Sequence, residues 1–254
     1  MTRYNSPWLR CFAPRAQPAL RLFAFHHGGG SATFIKGWDK ELPASIEVVG
    51  VQLPGRAERF RDPHVTDVDS LIHEIAQAMQ PYQNAPFAFF GHSLGAMLSF
   101  ELTRYLVDFH RVQPVHLFVS GRHAPQLRGI VPPLHHLPDD AFIEQVGAFG
   151  GLQSEVLEHK ELLEMILPGL RADFKLSASY RYQPAPPLPC PITAMGGMQD
   201  ATVPLEKIQG WRDQTSNAFD VKTFDGGHFY LEGNRGEMLD FLAKTCTRAI
   251  RGRA

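Results

Sequence analysis

Acidic residues are missing from the start of the chain: none occurs before Asp39, whereas Arg3, Arg10, Arg15 and Arg21 do. Such a bias marks transit peptides. Against that reading, Leu22 to Phe25 already has the character of a core strand. This leaves about twenty residues, broken by prolines and without amphipathic period, for which a loosely ordered leader is the expectation. Cysteine is scarce as well. Cys11, Cys190 and Cys246 show no CxxC or metal-ligand spacing, which excludes a disulfide scaffold and fits a reducing cytoplasm. An excess of either charge is lacking too: the formal net charge of −1 leaves no electrostatic footprint for nucleic acid. No apolar run approaches the roughly 20 residues of a membrane span, so a membrane is not an expected partner. What remains is a globular composition, 44% hydrophobic and 20% charged, on 254 residues, enough for one α/β domain with an insertion.

The chemistry concentrates in Phe87 to Met97. Phe87 to Phe90 is a short apolar run that suits a strand buried on both faces. Gly91-His92-Ser93-Leu94-Gly95 follows and matches G-x-S-x-G, and Leu98, Leu102 and Leu106 then mark one face of a helix. Strand, tight turn and helix form the context in which that motif presents a serine Oγ above a sheet. The small residues two before and two after Ser93 let the backbone double back. The N–H of Leu94, at the positive end of the new helix, can face a developing oxyanion.

Around this stretch the chain alternates. Arg21 to Phe25 reads as a strand that runs into His26-His27-Gly28-Gly29-Gly30. These glycines lack the lysine of a phosphate-binding G-x-x-x-x-G-K-[ST] loop, and they do not meet G-x-G-x-x-G. They spell the HGGG type that lends a backbone N–H to an oxyanion hole, with a plain flexible loop as the alternative. Ile46 to Leu53 is a second strand, closed by Leu53-Pro54-Gly55-Arg56 as a turn. Asp67 or Asp69 caps a helix carrying Leu71, Ile72, Ile75 and Met79, and Val115 to Gly121 is a further strand. This order predicts a mostly parallel sheet covered on both faces.

From about Arg122 to Cys190 the alternation stops. Pro138-Asp139-Asp140 opens one helix, and Ser154 begins a second, through Leu157, Leu163, Ile166 and Leu170, that Pro168 should kink or split. Tyr180 to Pro191, with five prolines in twelve residues, should be an extended connector. A helical insertion in a sheet protein reads as a lid, or else as a second packing layer. Strands then resume at Ile192 to Gly196 and Phe219 to Phe224, and a last amphipathic helix carries Met238, Leu239, Leu242 and Cys246.

A serine alcohol needs an adjacent base, itself oriented by a third group. His228 lies in the loop after the last strand. Asp200, in the loop after the preceding strand, is the favoured acid, with Asp225 as its competitor. The pairs His26-His27 and His135-His136 lack metal-site spacing, and His92 reads as packing beside the nucleophile.

Taken with Leu134-His135-His136-Leu137-Pro138, Tyr180-Arg181-Tyr182 and Gly226-Gly227-His228-Phe229, these motifs make the chain resemble the stand-alone type II thioesterases of nonribosomal peptide and polyketide synthases. The likeness runs from about Leu22 to the final helix. It implies a single α/β-hydrolase domain with a helical lid at about 122–190, acting as a cytoplasmic monomer without a cofactor of its own. Its substrates would be acyl or aminoacyl groups on the phosphopantetheine arm of carrier proteins. The family's catalytic residues fall on Ser93, Asp200 and His228, and its oxyanion donors on the N–H groups of Gly28 and Leu94. One departure is that the family commonly has alanine where this chain has Gly28. Competing expectations are release of medium-chain fatty acids, acyl transfer to an alcohol or amine, and a hydrolase-fold binding protein without turnover.

Overall fold

The short apolar and β-branched runs become the strands of one sheet in a computed structural model that describes residues 4–127, 133–148, 150–151 and 159–252. These strands are β1 (Leu9–Arg10), β2 (Leu20–Phe25), β3 (Ile46–Val51), β4 (Phe87–His92), β5 (Leu117–Ser120), β6 (Ile192–Gly197) and β7 (Phe219–Phe224). They lie in the order β1-β3-β2-β4-β5-β6-β7, with every neighbouring pair parallel except β1 with β3. Every residue of β2 through β6 is buried, as a parallel sheet covered on both faces requires.

Two layers of helix provide that cover. On one face lie α2 (Val68–Met79) and α3 (Leu94–Tyr105), whose Leu71, Ile72, Ile75, Leu98 and Leu102 join a core with Phe23, Phe89 and Val119. On the other face lie α1 (Trp38–Glu41) and, near the C-terminus, a long helix, Arg235–Arg251, through Trp38, Met238, Leu239, Leu242 and Cys246. Asp67 caps α2, its Oδ2 accepting the Ser70 N–H at 2.8 Å.

Between β5 and β6 come α4 (Asp139–Ala148) and α5 (Lys160–Ser179), which share a small core of Leu134, Phe142, Val146, Leu167 and Leu170. Ser154 and Leu157, expected in the second of these helices, lie outside the described residues. Pro168 sits inside α5 without dividing it. Buried Leu167 and Leu170 on either side of the proline hold the helix across the hydrogen bond it cannot donate. Residues 180–187 carry no helix or strand, in line with their prolines. The remaining α-helices among the described residues are α6 (Leu205–Gln209), α7 (Tyr230–Gly233) and the long α8 (Arg235–Arg251).

The expected loose leader is corrected from residue 4 onward. Trp8 and Leu9 are buried, Leu9 and Arg10 pair with Val51 and Gly50, and the Tyr4 ring stacks on Tyr82 at 4.1 Å between centroids. The Tyr4 hydroxyl donates to Glu47, which also holds buried Arg21 at 2.8 Å. A two-residue strand has no periodicity to read. Its stability comes from the edge of β3 and this ion pair, both distant in sequence.

Strand order positions the site. From β2 the chain crosses to β3 on one side and returns to β4 on the other, so the C-terminal ends of β2 and β4 open side by side. Such a reversal leaves a crevice beyond the strand ends.

Candidate active site

Ser93 stands at the junction of β4 and α3 with φ 54° and ψ −109°, a conformation that costs a non-glycine residue about 1–3 kcal/mol. The turn is held from both sides: Ser93 N–H donates to the Ser120 carbonyl at 2.8 Å, and its own carbonyl accepts from Ala96 N–H at 3.1 Å. Packing around it leaves no room for side chains. A Cβ on Gly91 would stand 2.2 Å from the Gly95 carbonyl oxygen, and one on Gly95 2.2 Å from that of Phe25. His92 and Leu94 are buried while Ser93 is half-buried, so the turn lifts the serine alone toward solvent.

His228 arrives from the loop after β7, and its Nδ1 lies 2.7 Å from Asp200 Oδ2. An ionised carboxylate only accepts, so Nδ1 carries the proton and Nε2 is left as the basic nitrogen. Asp200, in the loop after β6, is buried. Its other oxygen accepts from Thr202 N–H at 2.8 Å, Thr202 Oγ1 at 2.6 Å and Val203 N–H at 3.1 Å. Burial alone would raise this carboxyl, but the hydrogen bonds and charge of His228 and the Thr202 donors bring it below the ordinary carboxylate value. Asp225 is exposed and accepts from Gln199 Nε2 at 2.8 Å, so Asp200, not Asp225, is the acid brought to His228.

Behind the pair lies a buried polar chain. His92 Nδ1 is 2.8 Å from Ser120 Oγ, which is 2.7 Å from the Tyr230 hydroxyl. The His92 ring sits 5.1 Å from that of His228, and burial, with the nearby His228 and His27, holds its pKa well below the usual imidazole value. It is therefore a neutral ring packed beside His228.

The loop after β2 brings Gly28 to the same place. The Gly28 N–H has no acceptor among the described residues, although the neighbouring N–H groups do: Gly29 donates to Asp173 Oδ2 at 2.7 Å and Gly30 to the His27 carbonyl at 3.1 Å. Gly28 does not share the positive φ of Gly29, and a Cβ there would meet only Asp173 Cβ at 3.7 Å. An alanine is compatible with that position. Leu94 supplies the first N–H of α3, one of the groups a helix leaves without an internal partner.

Ser93, Gly28 and His228 all line one cavity of about 330 Å³. Val146 of α4 and Phe174 of α5 line it from the insertion and Val203 from the loop after β6, with Arg122, His123 and Thr202 as polar members of the same wall. Of the residues singled out in the sequence, Ser93, His228 and Gly28 line the cavity, Asp200 is hydrogen-bonded to His228, and Leu94 opens α3 directly after Ser93. Arg56 and Asp173 were not singled out. Arg56 stood in a motif that reads as a turn, and an aspartate within a helix reads as surface, yet Asp173 is 3% exposed and bonded to Arg56 through both oxygens. Among the described residues no group of three or more histidine, cysteine, aspartate or glutamate side chains is placed to hold a metal ion.

Residues 20–246 match the family model of the thioesterase domain. The chain is 42% identical to the linear gramicidin dehydrogenase LgrE of Brevibacillus parabrevis over 94% of this chain and 92% of that protein. It is also 42% identical to the gramicidin S biosynthesis protein GrsT of Aneurinibacillus migulanus, over 89% of this chain and 88% of that one. The medium-chain S-acyl fatty acid synthase thioesterase of Rattus norvegicus is 32% identical over 94% and 93%. Among solved structures, the type II thioesterase BorB from the borrelidin biosynthetic cluster superposes with a TM-score of 0.87 at 34% identity, covering 94% of this chain and 97% of BorB.

Proposed function

The chain belongs to the thioesterase family, and on that premise we propose that it hydrolyses acyl and aminoacyl groups from the phosphopantetheine arm of carrier proteins, in trans, clearing mis-primed or stalled synthases. The observation that carries this reading is that Ser93, Gly28 and His228, the last paired with Asp200, line one cavity. In this reading His228 Nε2 takes the Ser93 hydroxyl proton as Oγ attacks the thioester carbon. The tetrahedral oxyanion is held by the N–H groups of Gly28 and Leu94. Collapse breaks the C–S bond, and His228 returns the proton to the departing thiolate. Water, deprotonated by the same nitrogen, then attacks the Ser93 ester; the bond from the acyl carbon to Oγ breaks, His228 returns that proton to Oγ, and the acid leaves. Asp200 remains ionised and keeps His228 in the tautomer with a free Nε2.

In this reading α4 and α5 serve as a lid over the acyl group, supported by Val146 and Phe174 in the lining of the cavity. Release of medium-chain fatty acids is the second reading, supported by the apolar side chains in that lining and by the weaker likeness to the rat enzyme. The test is turnover of acyl-carrier protein by the wild type and by Ser93→Ala. The variant should unfold at the wild-type temperature, lose about 10⁶ in kcat and fail to react with a fluorophosphonate. Labelling of the alanine variant, or substantial residual hydrolysis at this site, would remove Ser93 from the mechanism.

A further inference from the structure

We propose that Arg56 and Asp173 are a positioning pair that holds the Gly28 donor in place and makes it depend on the seating of α5. This rests on the assignment of Gly28 as an oxyanion donor. The two side chains, 12% and 3% exposed, form a two-pronged ion pair: Nη1 to Oδ2 at 2.6 Å and Nη2 to Oδ1 at 2.9 Å. Each also grips the glycine loop. Asp173 Oδ2 accepts the Gly29 N–H at 2.7 Å, and Arg56 Nη1 donates to the Gly30 carbonyl at 3.2 Å. The pair therefore takes hold of the two residues that follow Gly28 and leaves the Gly28 N–H free. Arg56 is itself steadied by its own turn, Nε donating to the Pro54 carbonyl at 3.2 Å.

A run of three glycines has the widest conformational freedom of any tripeptide and no side chains with which to fix itself. The one backbone bond within this loop is that of Gly30 to the His27 carbonyl. Locally the His27 Nδ1 also lies 2.9 Å from the Gly28 carbonyl, and the constraints from outside are Arg56 on the Gly30 carbonyl and two residues of α5. Asp173 supplies the carboxylate, and Leu170 packs so closely that a Cβ on Gly29 would fall 2.7 Å from its Cδ1. The next residue, Phe174, lines the acyl cavity. A single stretch of α5 thus walls the cavity and fixes the donor loop, so that the oxyanion hole is complete only when α5 is seated. Stability alone does not account for such a pair, because replacing a buried ion pair by apolar residues of similar size is often neutral. Geometry does: displacing a catalytic group by 1 Å costs about 10² in rate.

The experiment uses the double variant Arg56→Met/Asp173→Leu, which removes both charges together and leaves neither unpaired. Hydrolysis of a short acyl-pantetheine thioester is measured alongside affinity for a trifluoromethyl ketone of the same chain length, whose adduct with Ser93 carries an oxyanion. Affinity for the acid product reports on the cavity alone. We expect thermal unfolding close to wild type, kcat lowered about 10²-fold, and KM and product affinity unchanged. Affinity for the ketone should fall by the same factor as kcat. Arg56→Lys keeps the charge without the fork and should lie between the two. Wild-type kcat in either variant overturns the proposal, and so does a fall in kcat with undiminished ketone affinity. A wild-type protein that binds the ketone but cleaves no thioester would instead overturn the proposed function.

Discussion

At the level of single residues, the tautomer of His228 depends on which carboxylate orients it. Asp200 is buried, accepts from the imidazole at 2.7 Å and has its second oxygen filled by Thr202 and Val203. Asp225 is exposed and turned to Gln199. Asp200→Asn should therefore lower kcat about 10⁴-fold, because an amide can donate to Nδ1 and so favours the tautomer that carries its proton on Nε2. Asp225→Asn should cost little. Steady-state kinetics of the two variants on one acyl substrate checks this, and a reversed order would move the acid into the loop beside His228. Ser93, Asp200 and His228 could be read from the sequence because each follows a strand-patterned stretch at its C-terminal end, where parallel sheets gather their chemistry. Arg56 and Asp173 could not. Their partnership spans 117 residues, and the burial of Asp173 depends on a helix packing against a glycine loop far upstream.

At the scale of elements, β4, its turn and α3 form one unit whose glycines are set by contact distances. Gly91→Ala and Gly95→Ala each drive a Cβ to 2.2 Å from a backbone oxygen, and a carbonyl cannot rotate away as a flexible side chain can. Neither variant should accumulate as folded protein. Gly236→Ala is the matched control: it lies in the first turn of α8, its Cβ would meet only Glu41 Oε2 at 3.9 Å, and it should gain about 0.5 kcal/mol. Circular dichroism and urea unfolding separate these outcomes, and a stably folded, wild-type-like Gly95→Ala would show that the turn is looser than its contacts indicate. The strongly patterned elements were legible: β2, β3, β4, β6, β7, α2 and α8 fall within a few residues of their expected places. β1 was not, since two residues carry no period and its partner is forty residues away. Of the kink or split expected at Pro168, the split does not occur, since α5 runs unbroken through the proline.

At the scale of the molecule, three buried histidines tie stability to pH. Burial, reinforced by Arg56, lowers His26 to about 3. Burial and Arg248 lower His116 to about 4. Burial also keeps His92 well below its ordinary 6.5. Because the folded values lie below the unfolded one, the unfolded chain binds protons first as pH falls. The stabilisation is complete above 6.5 and declines toward each folded value. One such histidine loses about 2 kcal/mol between pH 6.5 and 5. The Asp200 carboxyl, also depressed, makes its contribution above the ordinary carboxylate value and loses it only at lower pH, outside this window. Urea midpoints should therefore fall steeply from pH 7 to pH 5, and a flat profile would mean that these rings are protonated inside the fold.

The whole molecule is also where carrier recognition belongs. α4 and α5 present more surface than a small thioester needs, and binding energy gained far from the reacting carbon can be used to place it against Ser93. With a net charge of −1 the chain has no bulk attraction for an acidic carrier, so recognition should rest on local contacts with modest salt dependence. The most direct test is kcat/KM for a single acyl group presented on a carrier protein, on coenzyme A and on a short pantetheine. The thioester is the same in all three, so the chemical step alone predicts equal values. If α4 and α5 engage the carrier, the carrier-bound substrate is cleaved most efficiently; equal values for all three would contradict carrier recognition.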